Sequence, residues 1–258
     1  MTVQDRILWI NPGLPLDGLN RQFEALLEKG KRKGTEVKIV STGRGPRDLE
    51  YRYYEALVIP DILHKIKEAE KEGYDAAIIG CFYDPGLQAA REIADIVIVA
   101  PAEASMHLAA TLGSKFSIII GREKWILQMA ENVRNYGMEL RLSSFKSINL
   151  RVSEMQADKA RTMGRMHQAA REAVEEDLAE VIIPGCTMEY GFFQDLQSSL
   201  KVPVIDPIIA AFKYAEFLCE LKKRFGWGHS KRGDYERPPN NQILSWKLQE
   251  QYGVDGLW

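Results

Sequence analysis

Apolar and polar positions follow one another in blocks along this chain. Short apolar runs at Ile7–Ile10, Val37–Ser41, Ala76–Ile79, Ile96–Val99, Phe116–Ile120, Val181–Ile183 and Val204–Ile205 predict strands buried on both faces. Between them lie stretches of helical period. The first spans residues 17–30 and is closed by Gly30 and Gly34, and the second spans 49–72 with a break at Pro60. Asp84-Pro85 reads as an N-cap with proline at the first helical position, and further helices are predicted over 102–112, 124–136 and 208–224. Ser153 and Gln156 form a capping box for a long helix reaching about residue 178. Strands alternating with helices imply an α/β fold of parallel sheets with right-handed crossovers, whose ligands bind beyond the carboxyl ends of the strands.

Two of these strands end in the same way. Asp75-Ala-Ala-Ile-Ile-Gly80-Cys81 and Glu180-Val-Ile-Ile-Pro-Gly185-Cys186 each deliver a thiol to a strand's carboxyl end. Cys81 is followed after 20 residues by Pro101 in Val-Ala-Pro-Ala, and Cys186 after 21 by Pro207 in Ile-Asp-Pro-Ile, so the chain reads as an internal duplication with one thiol per half. A pair of thiols suits a reaction with two mirror-related faces. Inverting a carbon acid removes a proton from one face and returns one to the other, so one thiol must be ionised and its partner protonated. An ordinary thiol, with a pKa of about 8.5, is only a few per cent ionised near neutrality, and the helix start at Asp84-Pro85 is expected to favour the thiolate of Cys81. Both sulfurs reach one carbon if they lie roughly 7 Å apart, and they then titrate in coupled steps.

Composition narrows the function classes. The 258 residues carry 34 basic and 36 acidic side chains, a formal charge of −2, which gives no electrostatic case for nucleic acid or membrane partners. No secretory segment or membrane-length apolar run is read, so a cytoplasmic protein is expected. Three cysteines without CxxC spacing argue against a disulfide framework, and without paired ligand spacing they argue against zinc. No metal or other cofactor is expected.

Other features have ordinary readings beside functional ones. Cys219 shares a helical face with Ile208, Phe212 and Ala215 and is assigned to the core. Glu103 and His107, four apart on one helix face, form either a surface pair or part of the site. Asn11, at the end of the first strand, points to the ligand end by topology or simply makes a turn with Pro12-Gly13. Lys29–Lys33 and Lys222–Arg224 read as solvated helix ends, Gly43–Pro46 lacks the residues of a phosphate loop, and His64, His167 and His229 read as surface residues. From Gly226 an arm carries Trp227, Trp246 and Trp258, which suggests docking on its own body or on a second copy, and hence a homo-oligomer.

At Ile79-Gly-Cys-Phe-Tyr-Asp-Pro-Gly-Leu87, Glu103-Ala-Ser-Met-His107, Gly185-Cys-Thr187 and Val202-Pro-Val-Ile-Asp-Pro207, the chain resembles the aspartate/glutamate/hydantoin racemase superfamily. Its hydantoin racemase branch fits best, with Gly45-Pro46 to Glu50 and Tyr54-Glu-Ala56 reading similarly. The resemblance implies two similar parallel-sheet α/β domains related by pseudo-twofold symmetry, the active site in the cleft between them, no cofactor, and Cys81 and Cys186 on either side of a stereocentre. The expected domains are residues 1–112 with 208–225, residues 113–207, and the arm 226–258. The substrate site is expected to draw on Asn11, Gly80, Phe82, Tyr83, Glu103, His107, Gly121, Arg122, Gly185, Thr187 and Met188, with backbone N–H groups of residues 82, 83, 187 and 188 facing developing negative charge. The family's small hydroxyl residues after two strands are replaced here by Asn11-Pro-Gly-Leu14 and Ile120-Gly-Arg-Glu123, which shifts specificity from a simple hydantoin. The expected activity is cofactor-independent racemisation of a 5-substituted hydantoin or allantoin-like ureide. The alternatives are an amino-acid racemase, a maleate-type cis-trans isomerase, a decarboxylase, or a non-catalytic binding protein.

Overall fold

The computed structural model describes residues 5–16 and 18–253. Residue 17, where the first helix is predicted to begin, and Trp258 lie outside that range. The chain forms two compact units. One holds the described residues up to Ile79, Pro85–Val99 and those from Phe212 onward, and the other holds Gly80–Asp84 and Ala100–Ala211.

The first unit runs β1 (Asp5–Asn11), α1 (Leu19–Gly30), β2 (Thr35–Ser41), α2 (Arg52–Lys71), β3 (Ala76–Ile79), α3 (Leu87–Ile93) and β4 (Val97–Val99). Its four strands are all parallel, in the order β2-β1-β3-β4, and Ile7 pairs with both Val37 and Ala76. All of β3 and β4 is buried, as expected for parallel strands covered on both faces. The predicted break at Pro60 does not occur: α2 continues through it, because Val58, Ile62, Ile66 and Ala69 bury one continuous helical face that outweighs the lost hydrogen bond. The predicted helix start at Asp84-Pro85 also moves. Helix α3 begins at Leu87 behind Gly86, whose φ of 73° is left-handed, and Asp84 itself sits at φ 53° with its carboxyl turned to a different helix.

The second unit contains α4 (Pro101–Leu112), β5 (Phe116–Ile120), α5 (Ile126–Asn135), β6 (Leu142–Ser147), α6 (Val152–Met155), α7 (Lys159–Glu175), β7 (Val181–Pro184), α8 (Phe193–Leu200) and the first turns of α9 (Pro207–Phe225). Its parallel sheet has the order β6-β5-β7, extended by a bridge from Ile182 to Val204. The order repeats that of the first sheet, with β5 in the place of β1, β7 in the place of β3 and Val204 in the place of β4. Helix α4, expected with the first half, packs instead on β5, β7 and α5. Strand β6 lies outside the sequence prediction because it is a half-buried edge strand, Leu-Ser-Ser-Phe-Lys-Ser, with no apolar run. The long helix expected from Ser153 is two helices. The Arg151 N–H bonds the Glu154 carboxylate at 2.8 Å to start α6, and the Asp158 carboxylate accepts from Arg161 N–H at 3.0 Å to start α7.

The arm continues through α10 (Asn240–Ser245) and α11 (Leu248–Tyr252) and docks within the first unit. Polar groups anchor it: His229 Nε2 accepts from Ile98 N–H at 2.9 Å, Arg91 faces the Tyr235 ring, and Arg237 pairs with Asp95 at 2.7 Å. Trp227 and Trp246 remain 65% and 58% exposed, so these two side chains are not what docks the arm on this unit. His229 is therefore an anchor and not a surface residue. The predicted solvated run Lys222–Arg224 also has a structural role, since Lys223 bridges Asp5 at 3.1 Å and Asp75 at 2.8 Å.

Candidate active site

Both thiols lie one glycine beyond a strand, at equivalent places in the two repeats. Strand β3 leads through buried Gly80 to half-buried Cys81, and β7 through buried Gly185 to half-buried Cys186. Both cysteines belong to the second unit. Gly185 is required by contact: a Cβ there would stand 2.7 Å from the carbonyl oxygen of Ile119, to which Gly185 N–H donates at 2.6 Å. Each thiol then opens a short turn closed by the N–H three residues on, Asp84 to Cys81 O at 3.0 Å and Glu189 to Cys186 O at 2.9 Å.

Neighbouring helices hold these turns. For the first, Asn132 donates to Tyr83 O at 2.7 Å and the Tyr83 ring packs edge-on against Trp125. For the second, the Gln156 amide donates to Met188 O at 2.7 Å and to Tyr190 O at 3.3 Å. Phe82 and Tyr83 have buried side chains, and Thr187 is buried while Met188 is half-buried. What Phe82 and Tyr83 can present to a small molecule is therefore backbone.

Two buried carboxyls, at Cys+3 in each turn, complete the arrangement. Asp84 accepts from Ala102 N–H at 2.9 Å, Glu103 N–H at 2.8 Å and Tyr136 O–H at 2.8 Å, so it caps α4 from the Cys81 turn. Burial nevertheless pushes its pKa up to about 7, against the pull of those three donors. Glu189 is fully buried, and burial holds its carboxyl well above the usual range. Neither of its oxygens has a hydrogen bond of good geometry; the nearby N–H groups of Gly185 and Cys186 oppose the effect of burial without overcoming it, and that of Gly185 is committed to Ile119.

The remaining expected residues divide between the units. Glu103 and His107 are half-buried on α4, in the second unit, and Glu103 reaches the Cys81 turn through its backbone N–H on Asp84. Gly121 follows β5 and has no room for a side chain, since a Cβ would meet Trp125 at 2.5 Å and Met155 at 2.6 Å. Arg122 beside it is half-buried. Asn11 belongs to the first unit, where its side chain accepts from Trp9 Nε1 at 2.7 Å and donates to Asn20 at 2.9 Å, so it serves as a buried link at the end of β1. Cys219 is 1% exposed, and burial, followed by Asp5 and Asp75, pushes its thiol up to about 12, in keeping with a core role. Among the described residues, no three His, Cys, Asp or Glu side chains are grouped to hold a metal ion. The sequence reading missed Glu189 and Gln156, although the repeated spacing Gly-Cys-x-x-acid was visible in it.

The family model described as Asp/Glu/Hydantoin racemase matches residues 17–215, which include both thiol turns. The chain belongs to this family. The hydantoin racemase of Paenarthrobacter aurescens is 36% identical over 240 residues, 93% of this chain and 100% of its own length. That of Pseudomonas sp. strain NS671 is 34% identical over 239 residues, covering 93% of this chain and 94% of the relative. Among solved structures, the allantoin racemase from Klebsiella pneumoniae superposes with a TM-score of 0.85 at 30% identity, over 92% of this chain and 94% of that one. This family member is accordingly an isomerase of the racemase type, and no helix among its described residues is long and apolar enough to cross a membrane.

Proposed function

We propose that the protein racemises a cyclic or open ureide, a 5-substituted hydantoin or allantoin-like compound, without a cofactor, using Cys81 and Cys186 as its two acid/base groups. The observation that carries this reading is the duplicated turn: two half-buried thiols, each one glycine past the equivalent strand of two sheets with the same strand order. The substrates named for the relatives supply the ureide class. In each turnover one thiolate takes the proton from the carbon beside the carbonyl, and the other thiol gives a proton to the opposite face. The electron pair of the broken C–H bond moves onto the carbonyl oxygen and returns to carbon when the new C–H bond forms, so no redox partner is needed. Backbone N–H groups of Phe82, Tyr83, Thr187 and Met188 face the transient oxyanion, while Glu103, His107 and Arg122 set the fit of the ring and its substituent. Gly80, Gly121 and Gly185 shape the site without charge. The same reading places the protein in the cytoplasm as a homo-oligomer, with exposed Phe225, Trp227 and Trp246 as the apolar surface for association.

The test is racemisation of single enantiomers of hydantoins and allantoin in deuterated water, followed by chiral chromatography and mass spectrometry. Wild-type protein is expected to label the stereocentre from either enantiomer, and Cys81→Ser and Cys186→Ser each to lose turnover by at least about a thousandfold while keeping the native circular dichroism spectrum. Wild-type rates in either variant would remove the two-thiol assignment, and release of CO2 without exchange would mark a decarboxylase instead.

A further inference from the structure

The two repeats cap their equivalent helices by different means, and the difference leaves one buried carboxyl without a helix to cap. In the first repeat, α4 begins at Pro101, and the N–H groups of its next two residues, Ala102 and Glu103, are both taken by Asp84, the acid at Cys+3. In the second repeat, α9 begins at Pro207, and the N–H groups of Ile208 and Ile209 are both taken by Asp206 Oδ1, at 2.9 and 3.1 Å, from the residue just before the helix. The acid at Cys+3, Glu189, is thereby released from capping. It remains completely buried, with neither oxygen in a hydrogen bond of good geometry and the backbone N–H groups of Gly185 and Cys186 nearby. A buried carboxyl of this kind costs stability unless it stays protonated or finds donors, and here it caps no helix.

We propose that Glu189 is a positioning residue of Cys186, a buried carboxyl whose charge is coupled to that of the neighbouring thiol so that the turn carries at most one negative charge. Its oxygens are shielded from solvent, so it acts through Cys186 and not on substrate. Helix α6, packed on this turn, brings one titratable group, Glu154, whose carboxylate is engaged by Arg151 N–H and by Arg161. Within the turn, Tyr190 is the other titratable neighbour, and burial raises its hydroxyl pKa further above the working range. Repulsion between a Glu189 carboxylate and a Cys186 thiolate makes the second ionisation of the pair harder than the first. The inference deepens the proposed function, and it sets the Cys186 turn apart from the Cys81 turn, where the equivalent acid, Asp84, is tied to three donors.

The test reads each thiol separately. Iodoacetamide alkylation of the intact protein is followed against pH, with Cys81 and Cys186 resolved by peptide mass spectrometry. In Glu189→Gln the midpoint for Cys186 is expected to fall by about 1 pH unit while that of Cys81 stays in place. In the wild type, Cys186 should titrate in two coupled steps, a measurement that needs no variant to fold. A single wild-type step overturns the proposal, as does an unchanged Cys186 midpoint or an equal shift of both cysteines in a folded variant. Because alkylation needs no turnover, an active racemase with an unshifted Cys186 sinks only this inference, whereas absence of racemisation sinks the functional reading.

Discussion

Replacing Asp84 by asparagine should reverse the sign of its effect on stability between acid and alkaline pH. The carboxyl is buried and its pKa is pushed up from 3.8 to about 7, so the folded state keeps a proton that the unfolded chain has already released. Such a group favours the fold fully below pH 4, and its contribution is lost as pH rises through about 7. At about 1.4 kcal/mol per pH unit, the carboxylate form costs the fold about 4 kcal/mol above that point. Asparagine keeps one acceptor oxygen, for Ala102 N–H, and turns an amide toward Glu103 N–H, at a cost of about 1–3 kcal/mol at every pH. Asp84→Asn is therefore expected to be less stable than wild type by about 1–3 kcal/mol near pH 3.5, where the unfolded chain is protonated as well, and at least as stable at pH 8.5. Urea unfolding monitored by circular dichroism across this range measures the difference directly. A gap between the two proteins that does not change with pH would refute the argument, because it would mean that Asp84 is ionised throughout.

Two other outcomes are expected, besides the loss of turnover in Cys81→Ser and Cys186→Ser and the alkylation shift in Glu189→Gln. Gly185→Ala pushes a methyl to 2.7 Å from Ile119 O and 2.8 Å from the Ile118 side chain, so it should destabilise by about 1–3 kcal/mol and reduce turnover by displacing Cys186, checked by urea unfolding and the racemisation assay. In the same alkylation experiment Cys219 should stay unmodified at pH 9 in the native protein, since it is buried and its thiol is pushed up to about 12, and rapid labelling would show that α9 opens locally.

Much of the fold and part of the site were legible in the chain because they rest on local signals. The apolar runs located six of the seven strands among the described residues, and the Gly-Cys endings located both thiols, since a fully buried parallel strand writes itself as an unbroken apolar segment. Strand β6 was hidden because an edge position asks only for half-burial, which Leu-Ser-Ser-Phe-Lys-Ser satisfies without a period that local reading detects. Pro60 misled for the opposite reason: a local breaker was overruled by a buried face formed with distant residues.

By itself the sequence determined the duplication, the parallel α/β class, the family and the candidate thiols, all of which depend on residue type and short-range order. The tertiary structure alone decided what the acids do. Asp84 was read as the cap of the helix that follows it, yet its carboxyl lies against α4, whose first N–H groups begin 18 residues later, and Glu189 is a buried group that caps no helix, the equivalent place at α9 being taken by Asp206. Capping, burial and pKa depend on which donors and how much water surround a carboxyl, and those neighbours come from residues that only folding brings together.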